Sequence, residues 1–150
     1  MSAAPSPAIS KRGRIKARRN TVQALYQCFM TEKEFTDIIA EFESDEHTLA
    51  KTDVEYFKLL LRGTIKCRDE LDAQIEKLLD RPIDELDAIE RAILHIGCYE
   101  LKHCLEIPWR VVVNESIELA KLFGAEESHK YINGILDKVA KELRSAEVNK

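Results

Sequence analysis

Six of the nine residues from Lys11 to Arg19 are cations (Lys11, Arg12, Arg14, Lys16, Arg18 and Arg19), and the first acidic residue is Glu32. Taking those six from the 23 Lys and Arg leaves 17 against all 27 Asp and Glu, so an acidic body carries a basic arm. Charge segregated in this way points to contact with a polyanion. The apolar spacing that begins at Ile15 puts the run in the first turns of a helix, where cations oppose the helix dipole and repel one another. Residues that cost stability without a folding benefit are expected to serve binding. Lys16, Arg19, Gln23 and Gln27 fall on one polar stripe of that helix. The cations suit phosphates and the amides suit base edges. Tyr26 sits at the edge of the apolar stripe, where it either stacks on a base or fills core, and core is the commoner use.

Catalytic chemistry is weakly represented. Glu100-x-x-His103 and Glu126-x-x-His129 both match the Glu-x-x-His spacing of carboxylate-bridged metal sites in helical bundles. Such a site needs two further inward-facing glutamates. Glu100 and His103 fall near the Ile89, Ile93 and Ile96 stripe, whereas Glu126 lies off the stripe of its own helix. Glu100 is therefore expected to pair with a cation or a helix start on a neighbouring helix, and Glu126 to cap. No metal or other cofactor is expected. The glycines Gly13, Gly63, Gly97, Gly124 and Gly134 are isolated, unlike those of a phosphate-cradling loop. Cys28, Cys67, Cys98 and Cys104 form no Cys-x-x-Cys pair and read as reduced core thiols. The residues favour a binding module over an enzyme.

The elements that position these residues are helical. Residues 1–10 have nothing periodic to bury and are expected to be a disordered tail. Val22, Leu25, Tyr26, Phe29 and Met30 form one stripe at helical spacing; Phe35, Ile38, Ile39 and Phe42 form the next, with Thr31-x-x-Glu34 as a capping box between them. One long helix is expected from Asp53 to Leu79, weakened at Gly63 and closed by Pro82. After a turn at Ile83 to Leu86, a second capping box, Asp87-x-x-Glu90, opens a helix that ends near His103. Pro108 starts another, with Gly124 at its C′ position, and Glu126 and Glu127 open the last. No stretch alternates with period two. The class is all-α, six to seven helices in one domain over 11–145, divided by Pro82 into sub-bundles of about 14–80 and 82–145, with 146–150 as a tail. No apolar run approaches the length of a membrane span or a signal peptide, so a cytoplasmic protein is expected.

The run Phe123-Gly-Ala-Glu-Glu-Ser-His-Lys-Tyr-Ile-Asn-Gly-Ile-Leu-Asp-Lys138 resembles the signature of the NusB family of bacterial transcription antitermination factors. Three other stretches agree with it in order: the Arg-rich start followed by Val22-Gln-Ala-Leu-Tyr26, the block Ile89 to Leu101, and Ile107 to Lys121. The resemblance implies two small helical bundles, no catalysis, and binding of the boxA element of ribosomal RNA transcripts as a heterodimer with the ribosomal protein NusE. It implies work alongside other Nus factors on RNA polymerase, and a resting state that is a monomer or a homodimer. Carried onto matching positions, the RNA surface comprises Arg14, Lys16, Arg18, Arg19, Gln23 and Tyr26, together with Glu127, Lys130 and Tyr131. The NusE surface comprises Asp84, Glu85 and Glu90. The basic run departs from the family pattern at Gly13 and Ile15. The same domain also begins a family of rRNA cytosine methyltransferases, which require a Rossmann-like catalytic domain that this chain has no room for. The rival reading is a helical protein-interaction or self-associating module without RNA specificity.

Overall fold

The computed structural model describes residues 7–150. Residues 1–6, part of the stretch expected to be a disordered tail, lie outside the described residues. The described chain is all-helical: α1 (Pro7–Met30), α2 (Phe35–Ser44), α3 (Val54–Lys66), α4 (Arg68–Glu76), a 3-10 turn (Ile83–Glu85), α5 (Ala88–His103), α6 (Trp109–Phe123), α7 (Ser128–Leu143) and α8 (Ser145–Val148). Eight α-helices stand among the described residues against the expected six to seven, because the long helix is divided and residues 145–148 coil into α8. Among the described residues no helix is long and apolar enough to cross a membrane.

The chain divides into two compact units, Met1–Arg62 and Gly63–Lys150, with the boundary within α3. In the first unit α1 opens at Pro7, whose fixed φ suits the first helical position. Lys11 to Arg19 therefore lie beyond the first turn, where the dipole effect has faded, and mutual repulsion is the remaining cost of the run. Ala17, Thr21, Val22, Ala24 and Leu25 form the dry side of α1, and Ile38, Ile39 and Phe42 that of α2. The rings of Phe42 and Phe57 stack at 5.4 Å. The capping box between α1 and α2 does not form. Glu34 is itself the N-cap of α2 without a side-chain bond, while the Thr31 hydroxyl donates to the Gln27 carbonyl at 2.7 Å and so finishes α1.

In the second unit α5 is buried on nearly every side, from Ala92 to Cys98, so it is the central helix on which α4, α6 and α7 pack. The division of the expected long helix lies at Cys67, although backbone bonds run on across it, from the Cys67 amide to the Gly63 carbonyl and from the Leu71 amide to the Cys67 carbonyl. One turn earlier the Tyr99 ring occupies the surface of Gly63, where any Cβ would collide with it. Asp87 caps α5 as expected, accepting from the Glu90 amide. The reciprocal half is absent because the Glu90 carboxylate accepts instead from the Ser128 hydroxyl at 2.9 Å. Gly124 ends α6 with an extended backbone, φ −90, so it supplies no left-handed cap. Its value is closeness: a Cβ there would lie 2.8 Å from the Ala120 carbonyl and 2.9 Å from the Ser128 Cβ.

Arg144 secures the far end of α5. Its buried guanidinium donates to the carbonyls of Leu101, Ile107, Glu100 and Cys104 at 2.9, 2.6, 3.1 and 3.0 Å, and to Glu147 at 3.0 Å. A helix leaves its last carbonyls without intrahelical donors, and a cation at that end also meets the negative pole of the dipole. Glu147 in turn accepts from the Trp109 amide at 2.8 Å and caps α6.

Candidate nucleic-acid interface

In the first unit the basic run does not present six equivalent charges. Arg14 and Arg18, one helical turn apart, turn onto the ring of Tyr56, with guanidinium carbons 4.4 and 5.6 Å from its centroid. Arg18 is 4% exposed, and Arg14 is half-buried with its Nε enclosed. Tyr56 is placed by α3, whose first turn is capped by the Asp53 carboxylate accepting from the Tyr56 amide at 3.0 Å. The Asp53 amide in turn donates to the Gly13 carbonyl at 3.1 Å. Lys16 is half-buried and donates to the Ala50 carbonyl at 3.4 Å, while Asn20 holds the Thr48 carbonyl and the Thr52 hydroxyl.

The outward face of α1 therefore carries Arg12, Arg19, Gln23 and Tyr26, all exposed. Arg19, Gln23 and Tyr26 stand at i, i+4 and i+7, which is one stripe. Tyr26 is 39% exposed and does not fill the core, against the commoner expectation for such a residue. Gln27 is half-buried at the side of the stripe. Arg12, absent from the expected RNA residues, sits one heptad before Arg19 and could have been found by extending the wheel backwards.

In the second unit Tyr131 lies in the second turn of α7. Its hydroxyl donates to Asp80 at 3.1 Å, and Arg81 covers one ring face at 4.8 Å from the centroid. Burial first, and the bond to Asp80 second, raise the Tyr131 hydroxyl above its ordinary pKa. The Arg81 guanidinium, 2.9 Å away, and then Tyr131 hold the Asp80 carboxyl below its own. Asp80 and Arg81 escaped the sequence reading. Glu127 is the N-cap residue of α7 but makes no side-chain cap bond; it pairs at 2.9 Å with Lys130, and both are well exposed.

The expected partner residues separate. Asp84 and Glu85 are exposed on the 3-10 turn, whereas Glu90 is half-buried and committed to Ser128. The Glu-x-x-His pairs do not converge. Glu100 is 0% exposed while His103 stands at the surface, and Glu126 is exposed ahead of α7. Within the second unit, His95 meets Asp72 at 2.6 Å and Arg91 meets it at 2.8 Å, joining α5 to α4. Burial holds His95 below its ordinary pKa, so it is neutral and donates from Nε2. Burial pushes Asp72 upward, but the bonds from His95 and Arg91 outweigh it and leave the carboxyl below its usual range.

Comparison with known proteins gives this arrangement a context. The model of the NusB family matches residues 15–141. The transcription antitermination protein NusB of Alcanivorax borkumensis is 50% identical over 136 residues, covering 91% of this chain and 90% of that protein. The solved structure of T. maritima NusB superposes with a TM-score of 0.77 at 29% identity, covering 91% of this chain and 97% of that one. A structure of the antitermination factors NusB and NusE in complex with dsRNA superposes with a TM-score of 0.71 at 27% identity, covering 87% and 98%. With a family model spanning most of its length, and half its residues shared with a relative over nine-tenths of both chains, this chain belongs to the NusB family.

Proposed function

We propose that this chain is a transcription antitermination factor that binds boxA-type single-stranded RNA together with the ribosomal protein NusE, and that it catalyses no reaction. The observation that carries the reading is the exposed Arg19, Gln23 and Tyr26 stripe on α1, a cation, an amide and an aromatic ring in one line. Single-stranded RNA is recognised by stacking unpaired bases on aromatic rings and bonding their edges, with cations supplying attraction to phosphate. Arg14 and Arg18 support that face from behind through Tyr56, and Lys16 adds charge at its side. In the second unit Tyr131 offers its uncovered ring face to a base, Lys130 and Arg81 offer charge, and Glu127 accepts from a base amino group once Lys130 turns to phosphate.

Relatives named as antitermination proteins, and a related structure holding NusE and RNA, support the choice of ligands. The RNA in that structure is double-stranded, whereas exposed rings favour unpaired bases. Asp84 and Glu85 form the acidic edge for NusE, with Glu90 holding α5 to α7 behind them. The complex acts in the cytoplasm with other Nus factors on RNA polymerase.

A titration of boxA, scrambled and duplex RNA, with and without NusE and at two salt concentrations, tests the reading. Preference for single-stranded boxA that sharpens with NusE is expected. Equal affinity for all three RNAs in both conditions would leave only a helical protein-interaction module.

A further inference from the structure

Three donor atoms of different chemistry converge where the start of α4 meets the end of α5. Cys67, Glu70 and His103 each offer one ligand atom, and these lie within 4.8 Å of one another. Glu70 Oε1 is 3.2 Å from His103 Nε2. Cys67 and Glu70 are three residues apart at a helix start, which puts them on one face. His103, the last residue of α5, has its ring beside that of Tyr99 at 4.9 Å, and Tyr99 is itself seated on Gly63. His103 is thus braced by packing. The Glu70 and His103 side chains are 37% and 35% exposed, so an ion reaches them from solvent.

We propose that Cys67, Glu70 and His103 form a site for a thiophilic divalent transition-metal ion, Zn²⁺ foremost, with the fourth position left to water. A sulfur, a ring nitrogen and a carboxylate oxygen suit a borderline ion, whereas Mg²⁺ and Ca²⁺ require oxygen donors throughout. Metal–ligand bonds of about 2.0–2.3 Å put the donors of a tetrahedral ion roughly 3.3–3.8 Å apart, so a contraction of about an ångström closes the shell. Lys102 is the built-in competitor, its ammonium 2.6 Å from Glu70 Oε1 at the end of a half-buried, flexible stem. The incoming ion displaces it.

Burial, and then the Glu70 charge, hold the Cys67 thiol above its ordinary pKa, so it enters protonated. Coordination forms the sulfur–metal bond and releases that one proton to solvent, with no change of oxidation state. The filled site joins the start of α4 to the end of α5. It stabilises the second unit only while metal is present, by mass action. The sequence had paired His103 with Glu100; its metal partners come instead from the preceding helix.

The test is a Co²⁺ titration of the untagged full chain, followed by the thiolate-to-cobalt absorption band and displaced by Zn²⁺. One equivalent is expected, with a rise in Tm. Cys67→Ser should abolish the band, and Cys28→Ser should leave it. His103→Ala and Glu70→Gln should each weaken binding by about a hundredfold, at the upper end of what even outer-shell changes cause. Lys102→Ala removes the competitor and no ligand, so it should tighten binding. A missing band in the parent chain, a band surviving in Cys67→Ser, or unchanged affinity in His103→Ala or Lys102→Ala would each overturn the site.

Discussion

The guanidinium of Arg14 lies 4.4 Å above the ring of Tyr56, and Arg18 reaches the same ring from one turn further along α1. A run that looks in the sequence like a uniform polyanion hook is thereby sorted by helix geometry into an inner pair and an outer row. The inner pair holds α1 to α3. The outer row, Arg12 and Arg19 with Gln23 and Tyr26, remains open to a ligand.

That sorting separates two substitutions that charge counting treats alike. Arg19→Ala should leave the urea midpoint unchanged while reducing the salt dependence of RNA binding by about 0.7 in log K per log salt, the loss of one single-strand phosphate contact. Arg18→Ala should instead lower stability by about 1–2 kcal/mol, through lost packing against Tyr56. Urea titrations paired with RNA titrations at several salt concentrations measure both. Equal effects of the two variants on both readouts would contradict the division.

Tyr131 can be tested by dividing the ring from its hydroxyl. Tyr131→Phe removes the bond to Asp80 but keeps the ring, so RNA affinity should stay within about twofold. Tyr131→Ala should cost about 1–3 kcal/mol of binding, the usual worth of one stacked base. If Phe is as damaging as Ala, the hydroxyl and its Asp80 contact matter more than the platform.

Arg144 should matter to folding alone. Its guanidinium serves four carbonyls and Glu147, and a buried polar group deprived of its partner costs about 1–3 kcal/mol. Arg144→Met should therefore destabilise the chain by about 3 kcal/mol or more. Arg144→Lys should recover only part of this, because an ammonium cannot reproduce the planar fork. Guanidinium unfolding curves provide the measurement.

Acid should act first through His95. Its folded pKa lies below the ordinary value of 6.5, so the unfolded chain binds the proton more readily. The stability it contributes is present in full above that value and is lost as the pH falls below it and through the lowered folded pKa. Asp72 follows the same sign at lower pH, starting from its ordinary 3.8. Glu147 does so from 4.5, held down first by the Trp109 amide and then by Arg144. A pH series of urea midpoints should show an early decline below neutrality that is missing in His95→Gln.

What could be read from the sequence was what neighbours along the chain decide. Asp87 caps α5 because a capping side chain needs only its own helix start, and α5 ends at His103 as expected. The stripes Ile93 and Ile96, Val112 and Leu119, and Ile132 and Leu136 are all buried, since helical spacing alone assigns them to one side. Thr31 failed as a cap because two helix ends compete for it, and no local pattern says which wins. Gly124 was placed correctly for the wrong reason, close approach of Ser128 and not a left-handed turn. Among the residues of the candidate interface, the exposure of Arg19 and Gln23 was legible from the wheel. Arg14 and Arg18 were not, because Tyr56 meets them only after the chain has turned back from α2 to α3. Arg81 was hidden for the same reason, since only folding brings it to Tyr131.

The guanidinium of Arg144 also sets an order of events during synthesis. The Leu101 carbonyl it satisfies is made 43 residues before it, and the Ile107 carbonyl 37 residues before it. Until Arg144 has left the ribosome, the end of α5 is closed by the Cys104 amide on the Glu100 carbonyl, without the guanidinium that completes it. The central helix of the second unit is therefore finished by a residue made well after its own end, once α6 and α7 have been added. Vectorial folding from the N-terminal side therefore lets the first unit order before Arg144 closes the second.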